Sequence, residues 1–216
     1  MVNGKEDVDR PKDISKFLHE PQVQIAPPDL EKLSKTNLVL LRHATTTFNE
    51  ECFRIANEFG EGSPEWEAFK VDPAYADPPL SEMGNTQCFN ARQHINKIDF
   101  KVVFVSPMLR TFQTTVECFK EHPNKKSIKF LVLTLQKEGL YLNNDLMGGN
   151  FKEKIYDIYS NPNHPATGGL HFDFSLMFGY GTETTMQFSV LADVERLQKP
   201  YSFISADAKN GNEANS

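Results

Sequence analysis

The sequence has no closely spaced pair of cysteines. Its three cysteines, Cys52, Cys88 and Cys118, form no C-x-x-C motif, which excludes the usual patterns of a zinc ribbon or a dithiol redox centre. Reduced and mostly buried thiols are therefore expected. No group of His, Asp and Glu residues has the spacing of metal ligands either, which disfavours a metal hydrolase. We accordingly predict no metal and no other cofactor.

Long apolar runs and an excess of positive charge are also missing. No window approaches the roughly 20 apolar residues of a membrane span, and the first ten residues lack the apolar centre of a signal peptide. The formal net charge of −6 argues against a nucleic-acid partner. We therefore expect a cytoplasmic protein with no membrane span.

The 216 residues, of which 39% are hydrophobic, suffice for one domain with extensions. Residues 1–35 carry many charges and little periodicity, so they are predicted to form a polar N-terminal extension, which is a candidate docking element for a protein assembly. Residues 205–216 are a polar tail. Residues 36–204 remain as the predicted domain.

Apolar runs and helical periodicity alternate along this domain. Residues 60–79 are rich in Pro, Gly and acidic residues, which predicts a surface loop with Trp66 as an anchor or a pocket wall. The alternation predicts an α/β fold with a mainly parallel open sheet flanked by helices. The predicted strands are 38–41, 101–105 and 128–133, and the predicted helices are 48–59, 81–96, one beginning near 107, 151–159 and 182–199.

Charged and polar side chains follow the first two predicted strands. Arg42 and His43 come directly after the first, and Asn49 lies six positions beyond His43. Arg110 follows the second strand, in the first turn of a helix for which Ser106 is the predicted N-cap. Helix N-termini and guanidinium groups both suit phosphate oxygens. The pattern predicts a phosphate pocket at the carboxyl ends of the strands, although each residue taken singly also fits a structural role.

Taken together, these motifs resemble the histidine phosphatase superfamily, which includes the phosphoglycerate mutases. The resemblance rests on Leu41-Arg42-His43-Ala44 with Asn49, on Asp77-Pro78-Pro79-Leu80-Ser81 with Gly84 and Gln87, and on Ser106-Pro107-Met108-Leu109-Arg110 with Gln113-Thr114. It implies a phosphoglycerate mutase-like fold. It also implies phosphoryl transfer through a phosphohistidine, most simply the hydrolysis of a phosphomonoester.

The resemblance assigns a role to five residues. His43 would be the nucleophile, and Glu138 would donate a proton to the leaving oxygen. Arg42, Asn49 and Arg110 would bind the phosphoryl oxygens. For Glu138 a solvated loop carboxylate is the alternative reading. The implied substrate is a phosphorylated small molecule or a phosphoprotein.

Two features depart from the pattern of the family. Ala44 stands where its members usually have Gly, and the last histidines, His164 and His171, neither follow an apolar strand nor precede Gly. The second catalytic His is therefore not found. The chain would be either part of a longer sequence or a degenerate member, namely a weak or inactive pseudophosphatase that serves as a phosphate-binding or structural subunit. Residues 140–182 are a candidate lid, with a plain surface excursion as the alternative.

Overall fold

The computed structural model describes residues 38–133 and 152–177. The predicted N-terminal extension, the polar tail, the predicted helix 182–199 and Glu138 lie outside these residues. The division of the chain into domains therefore stays a prediction.

Helices and short strands alternate through the described residues. The strands are β1 (Val102–Val105), β2 (Lys129–Val132) and β3 (Phe172–Asp173). The helices are α1 (Thr47–Phe59), α2 (Pro64–Lys70), α3 (Glu82–Ile95), α4 (Leu109–Phe119) and α5 (Asp157–Tyr159), the last continuing a π-helical turn, Lys152–Tyr156. Single 3-10 turns are formed by Pro73–Tyr75 and Pro165–Thr167.

The sheet has the order β1-β2-β3, and both of its strand pairs are parallel. In register, Val105 of β1 lies opposite Val132 of β2, and Phe130 of β2 lies opposite Phe172 of β3. The predicted α/β class with an open parallel sheet is confirmed.

Two apolar clusters hold the helices in place. The larger joins the sheet to α3, α4 and α5, with Phe112 fully buried and stacked on Tyr159 at 4.6 Å between ring centroids. Helices α3 and α4 are also joined by the buried Arg92, whose Nε donates to the Glu117 carbonyl at 2.8 Å. Because a buried guanidinium needs such partners, this contact specifies how the two helices pack.

The predicted first strand is wrong as a buried strand. Residues 38–41 pair with no strand in the described chain, and Leu38, Leu40 and Leu41 are 70%, 88% and 51% exposed. Strand β1 ends the sheet on one side, and its Phe104 side chain is likewise exposed. An apolar run predicts burial. A buried strand also needs a neighbouring strand to pair with and side chains that cover it, and the sequence pattern does not show whether either is present.

The predicted loop 60–79 contains a helix. Ser63 accepts a hydrogen bond from the Trp66 backbone N–H at 3.1 Å, and Pro64 occupies the first turn, so both helix-start signals are present. Trp66 and Phe69 pack against Phe48, the latter with ring centroids 4.7 Å apart. Trp66 is thus an anchor within the second cluster. The Pro-rich composition of residues 60–79 predicted a loop, and a helix of only two turns is too short to show a clear apolar periodicity.

The three cysteines are free and buried. Burial raises the pKa of the Cys52 thiol to about 11, so at pH 8 the reactive thiolate is scarce. We expect alkylation of Cys52 in the native protein to be at least about 100-fold slower than in denaturant, and to speed up as the pH rises towards 11. Labelling with iodoacetamide followed by peptide mapping measures this, with the urea-unfolded chain as control. Native thiols that react at the rate of unfolded ones would contradict the buried arrangement.

Candidate active site

Arg110 lies in the first turn of α4, beyond the carboxyl end of β1. Its side chain is only 1% exposed. Helix α4 does not begin with the predicted Ser106 cap, since Met108 occupies the N-cap position and makes no side-chain cap bond. The cap comes from elsewhere in the chain: Asp77 Oδ1 accepts the Leu109 backbone N–H at 2.8 Å. Arg110 is therefore held by a helix whose start depends on a distant residue.

Side chains of α3 and α4 hold the segment after His43. The Ala44 N–H donates to Thr114 Oγ1 at 3.1 Å, and the same hydroxyl donates to the Arg110 carbonyl at 2.7 Å. The Thr45 N–H donates to Gln87 Oε1 at 2.9 Å. One hydroxyl therefore joins the backbone beside His43 to the backbone of Arg110.

A second loop, 77–81, is tied to the same framework. The Leu80 N–H donates to Gln113 Oε1 at 2.8 Å, and the Ser81 N–H donates to the Thr45 carbonyl at 3.0 Å. Ser81 also begins α3, because its hydroxyl accepts the Gly84 N–H at 3.1 Å. The residues that these bonds employ come from three separate stretches of sequence.

Gly84 brings α3 close to the loop beside His43. A Cβ atom at this position would lie 2.0 Å from the Thr45 carbonyl oxygen, far inside van der Waals contact. Only glycine lets the helix approach the Thr45 backbone at this distance.

The environment of His43 defines its tautomer. Its ring is half-buried, and Nδ1 lies 2.8 Å from the carbonyl oxygen of Ala44. A carbonyl can only accept, so in the neutral imidazole this contact places the proton on Nδ1 and the lone pair on Nε2. The role of His43 as nucleophile stays a prediction.

Asn49 and Arg42 differ in their surroundings. Asn49 Oδ1 accepts the Thr46 backbone N–H at 3.0 Å, while Thr46 Oγ1 accepts the Asn49 N–H at 3.2 Å, which forms a capping box at the start of α1. The donor end of this amide is therefore the part that can reach a phosphate. Arg42 is exposed. The phosphate-binding roles of both residues stay predictions.

One comparison with known proteins, a scan against family models, agrees with the sequence motifs around Asp77 and Arg110. Residues 62–129 match the family model described as the histidine phosphatase superfamily (branch 1). The resemblance predicted from the sequence is thus confirmed. The histidine phosphatase match includes Asp77, Gly84 and Arg110, whereas Arg42, His43 and Asn49 precede it. Searches of the curated proteins and of the solved structures found no match.

The histidine phosphatase match supports phosphoryl transfer as the class of chemistry and phosphorylated compounds as the substrates. Among the described residues, no helix is long and apolar enough to cross a membrane. The same part of the chain holds no cluster of His, Cys, Asp and Glu that could bind a metal ion.

Ala44 does not strain the backbone beside His43. Asp77 is the one non-glycine residue with a positive φ among those described, so Ala44 does not occupy the region that favours glycine. The substitution of Gly by Ala therefore creates no backbone strain at this point.

The two late histidines, His164 and His171, lie in surroundings that the structure describes. His164 Nδ1 accepts the Ala166 N–H at 3.2 Å and so caps a 3-10 turn. His171 is exposed and directly precedes β3, which runs parallel to β2. It therefore lies at the amino edge of the sheet, opposite the edge where β1 leads into Arg110. Glu138 lies outside the described residues, although β2, the strand before it, ends at the same edge as β1.

Four polar residues belong to the motifs, but the sequence predicts no function for them: Asp77, Gln87, Gln113 and Thr114. Their side chains accept the backbone N–H groups of Leu109, Thr45, Leu80 and Ala44, respectively. A polar residue within a motif hints at such a role, but its partner lies 32 to 70 positions away. No local pattern identifies that partner.

Proposed function

We propose that the protein transfers a phosphoryl group through a phosphohistidine at His43 and, in the simplest case, hydrolyses a phosphomonoester. The observation that carries the proposal is the Nδ1 contact of His43 with the Ala44 carbonyl, because it leaves Nε2 as the nucleophile. The substrate would be a phosphorylated small molecule or a phosphoprotein. A cytoplasmic location is proposed with it, since all three cysteines are free.

The reaction has two steps. Nε2 forms a bond to phosphorus while the bond to the leaving oxygen breaks, and Glu138 supplies the proton that this oxygen takes up. Water then attacks the phosphohistidine, gives up a proton to the Glu138 carboxylate, and releases phosphate and neutral His43. Arg110, at the positive end of α4, would stabilise the charge on the equatorial oxygens, together with Arg42 and Asn49.

The proposal predicts a phosphoenzyme. When the full chain is mixed with an aryl phosphate and quenched in base, we expect a phosphoryl group that is stable to base and labile to acid on the peptide that contains His43. Mass spectrometry of the digested protein locates it. Turnover accompanied by phosphorylation at another residue would reject His43 as the nucleophile.

A second candidate is a weak or inactive pseudophosphatase that binds phosphate as a subunit of an assembly, with residues 1–35 as the docking element. The position of His171 favours it, since this residue precedes β3 and so lies at the edge of the sheet opposite Arg110, while the His164 ring caps a 3-10 turn. Phosphate binding without phosphoenzyme and without turnover would select this candidate.

A further inference from the structure

Asp77 has an unusual backbone for its environment. Its φ is +47°, and its side chain is 5% exposed. Left-handed backbone costs most non-glycine residues free energy, and Asp and Asn tolerate it best. A buried carboxylate at such a position needs a strong compensating contact.

One such contact is at the start of α4. Asp77 Oδ1 accepts the Leu109 N–H at 2.8 Å, at a helix end that has no side-chain cap of its own. The next residue along the helix is Arg110. Its carbonyl accepts the Thr114 hydroxyl, which also accepts the Ala44 N–H. The turn that carries Arg110 is thus held on one side by Asp77 and on the other by the backbone beside His43.

Tyr159 of α5 is affected by the charge of this carboxylate. Burial, followed by the negative charge of Asp77, raises the pKa of Tyr159 to about 12. Tyr159 stacks on Phe112 of α4. Tyr159 is thereby linked to α4 through ring stacking and to Asp77 through its charge.

We propose that Asp77 is a positioning residue for the phosphate-binding Arg110, an inference that rests on the proposed function. Asp77 acts through two properties, the hydrogen-bond acceptor at Oδ1 and the left-handed backbone, and it does not touch the phosphate. The Leu109 N–H needs only an acceptor, which an amide oxygen also supplies.

Two variants separate these properties. Asp77→Asn keeps an acceptor oxygen and tolerates the positive φ, whereas Asp77→Gly accepts the φ but removes the cap. We expect the dissociation constant for inorganic phosphate to stay within about threefold of wild type in Asp77→Asn and to rise at least about tenfold in Asp77→Gly. Phosphorus NMR titration of the full chain, well below its unfolding temperature, reaches the millimolar range that this requires.

The matched control is Asp72→Gly. Asp72 Oδ1 accepts the Ala74 N–H at 2.8 Å, so it caps the 3-10 turn Pro73–Tyr75 in the same manner. We expect this variant to lose a cap and keep its phosphate affinity. A purely stabilising cap would lower the unfolding temperature without changing the affinity of the folded protein.

A double-mutant cycle tests whether Asp77 acts through Arg110. In an Arg110→Ala background, Asp77→Gly should weaken phosphate binding by less than about twofold further. Equal weakening in both backgrounds, or wild-type affinity in Asp77→Gly, would overturn the inference while leaving the proposed function intact. If wild type neither binds phosphate nor forms a phosphohistidine, the proposed function fails as well.

Asp77→Ser replaces Asp77→Gly if the glycine variant does not fold. Its shorter side chain caps α4 less well, so we expect it to bind phosphate at least about threefold more weakly than wild type. Unchanged binding would reject the inference.

Discussion

Phosphatase turnover is expected to fall by at least about 10⁴-fold when His43 is replaced by alanine. Removing the nucleophile abolishes the covalent route and leaves only binding and electrostatic stabilisation, and single losses of this kind reach about 10⁶-fold in well-studied hydrolases. The fold should survive, because the ring is only half-buried and its Nδ1 contact is with the carbonyl of the adjacent residue. Steady-state hydrolysis of a chromogenic aryl phosphate measures the change.

His164→Ala is the matched control for this measurement. The ring of His164 caps the turn Pro165–Thr167, so its loss should cost about 1 kcal/mol of stability and leave turnover within about twofold of wild type. Turnover that survives His43→Ala would refute the nucleophile assignment. An equal loss in both variants would point to general destabilisation instead.

Gly84→Ala is expected to lower the free energy of unfolding by about 3 kcal/mol or more. The added Cβ would lie 2.0 Å from the Thr45 carbonyl oxygen, which belongs to the backbone and cannot rotate away. Helix α3 and the loop after His43 would have to separate, and the Ser81 N–H bond to the same oxygen would break. Urea denaturation gives the change in stability. Phosphate affinity should fall in parallel, because the displaced loop carries His43.

The control here is Gly62→Ala. Gly62 also lies on the described chain, at φ +85°, but a Cβ there meets nothing within 4 Å. Its expected cost is the backbone penalty alone, about 1–2 kcal/mol. If Gly84→Ala proved no more destabilising than Gly62→Ala, the close approach of α3 to Thr45 would be incorrect.

Local signals predicted most of the helices correctly. The expected helices 48–59 and 81–96 correspond to α1 and α3, with Gly60 ending the first and Ser81 capping the second. The expected strand 128–133 contains β2. Periodicity and caps succeed here because they depend on residues within one or two turns of each other.

Predictions that depended on which segment packs against the element were wrong in two places. Residues 38–41 have the composition of a buried strand, yet their three leucines are exposed, while residues 64–70 form a helix within a stretch that has the composition of a loop. In both cases the outcome depends on what packs against the segment. Composition alone carries no information about that neighbour.

The sequence by itself determined the chemistry available to this protein: a histidine beside an arginine, a second arginine in the first turn of a helix, and a family resemblance that the match over residues 62–129 confirms. Only the tertiary structure decided how those groups are held. Asp77 caps α4 across 32 positions, Thr114 joins Ala44 to Arg110, and Gly84 makes room for Thr45. Such contacts arise when distant backbone groups must find hydrogen-bond partners in a packed interior, a requirement that no local sequence pattern expresses.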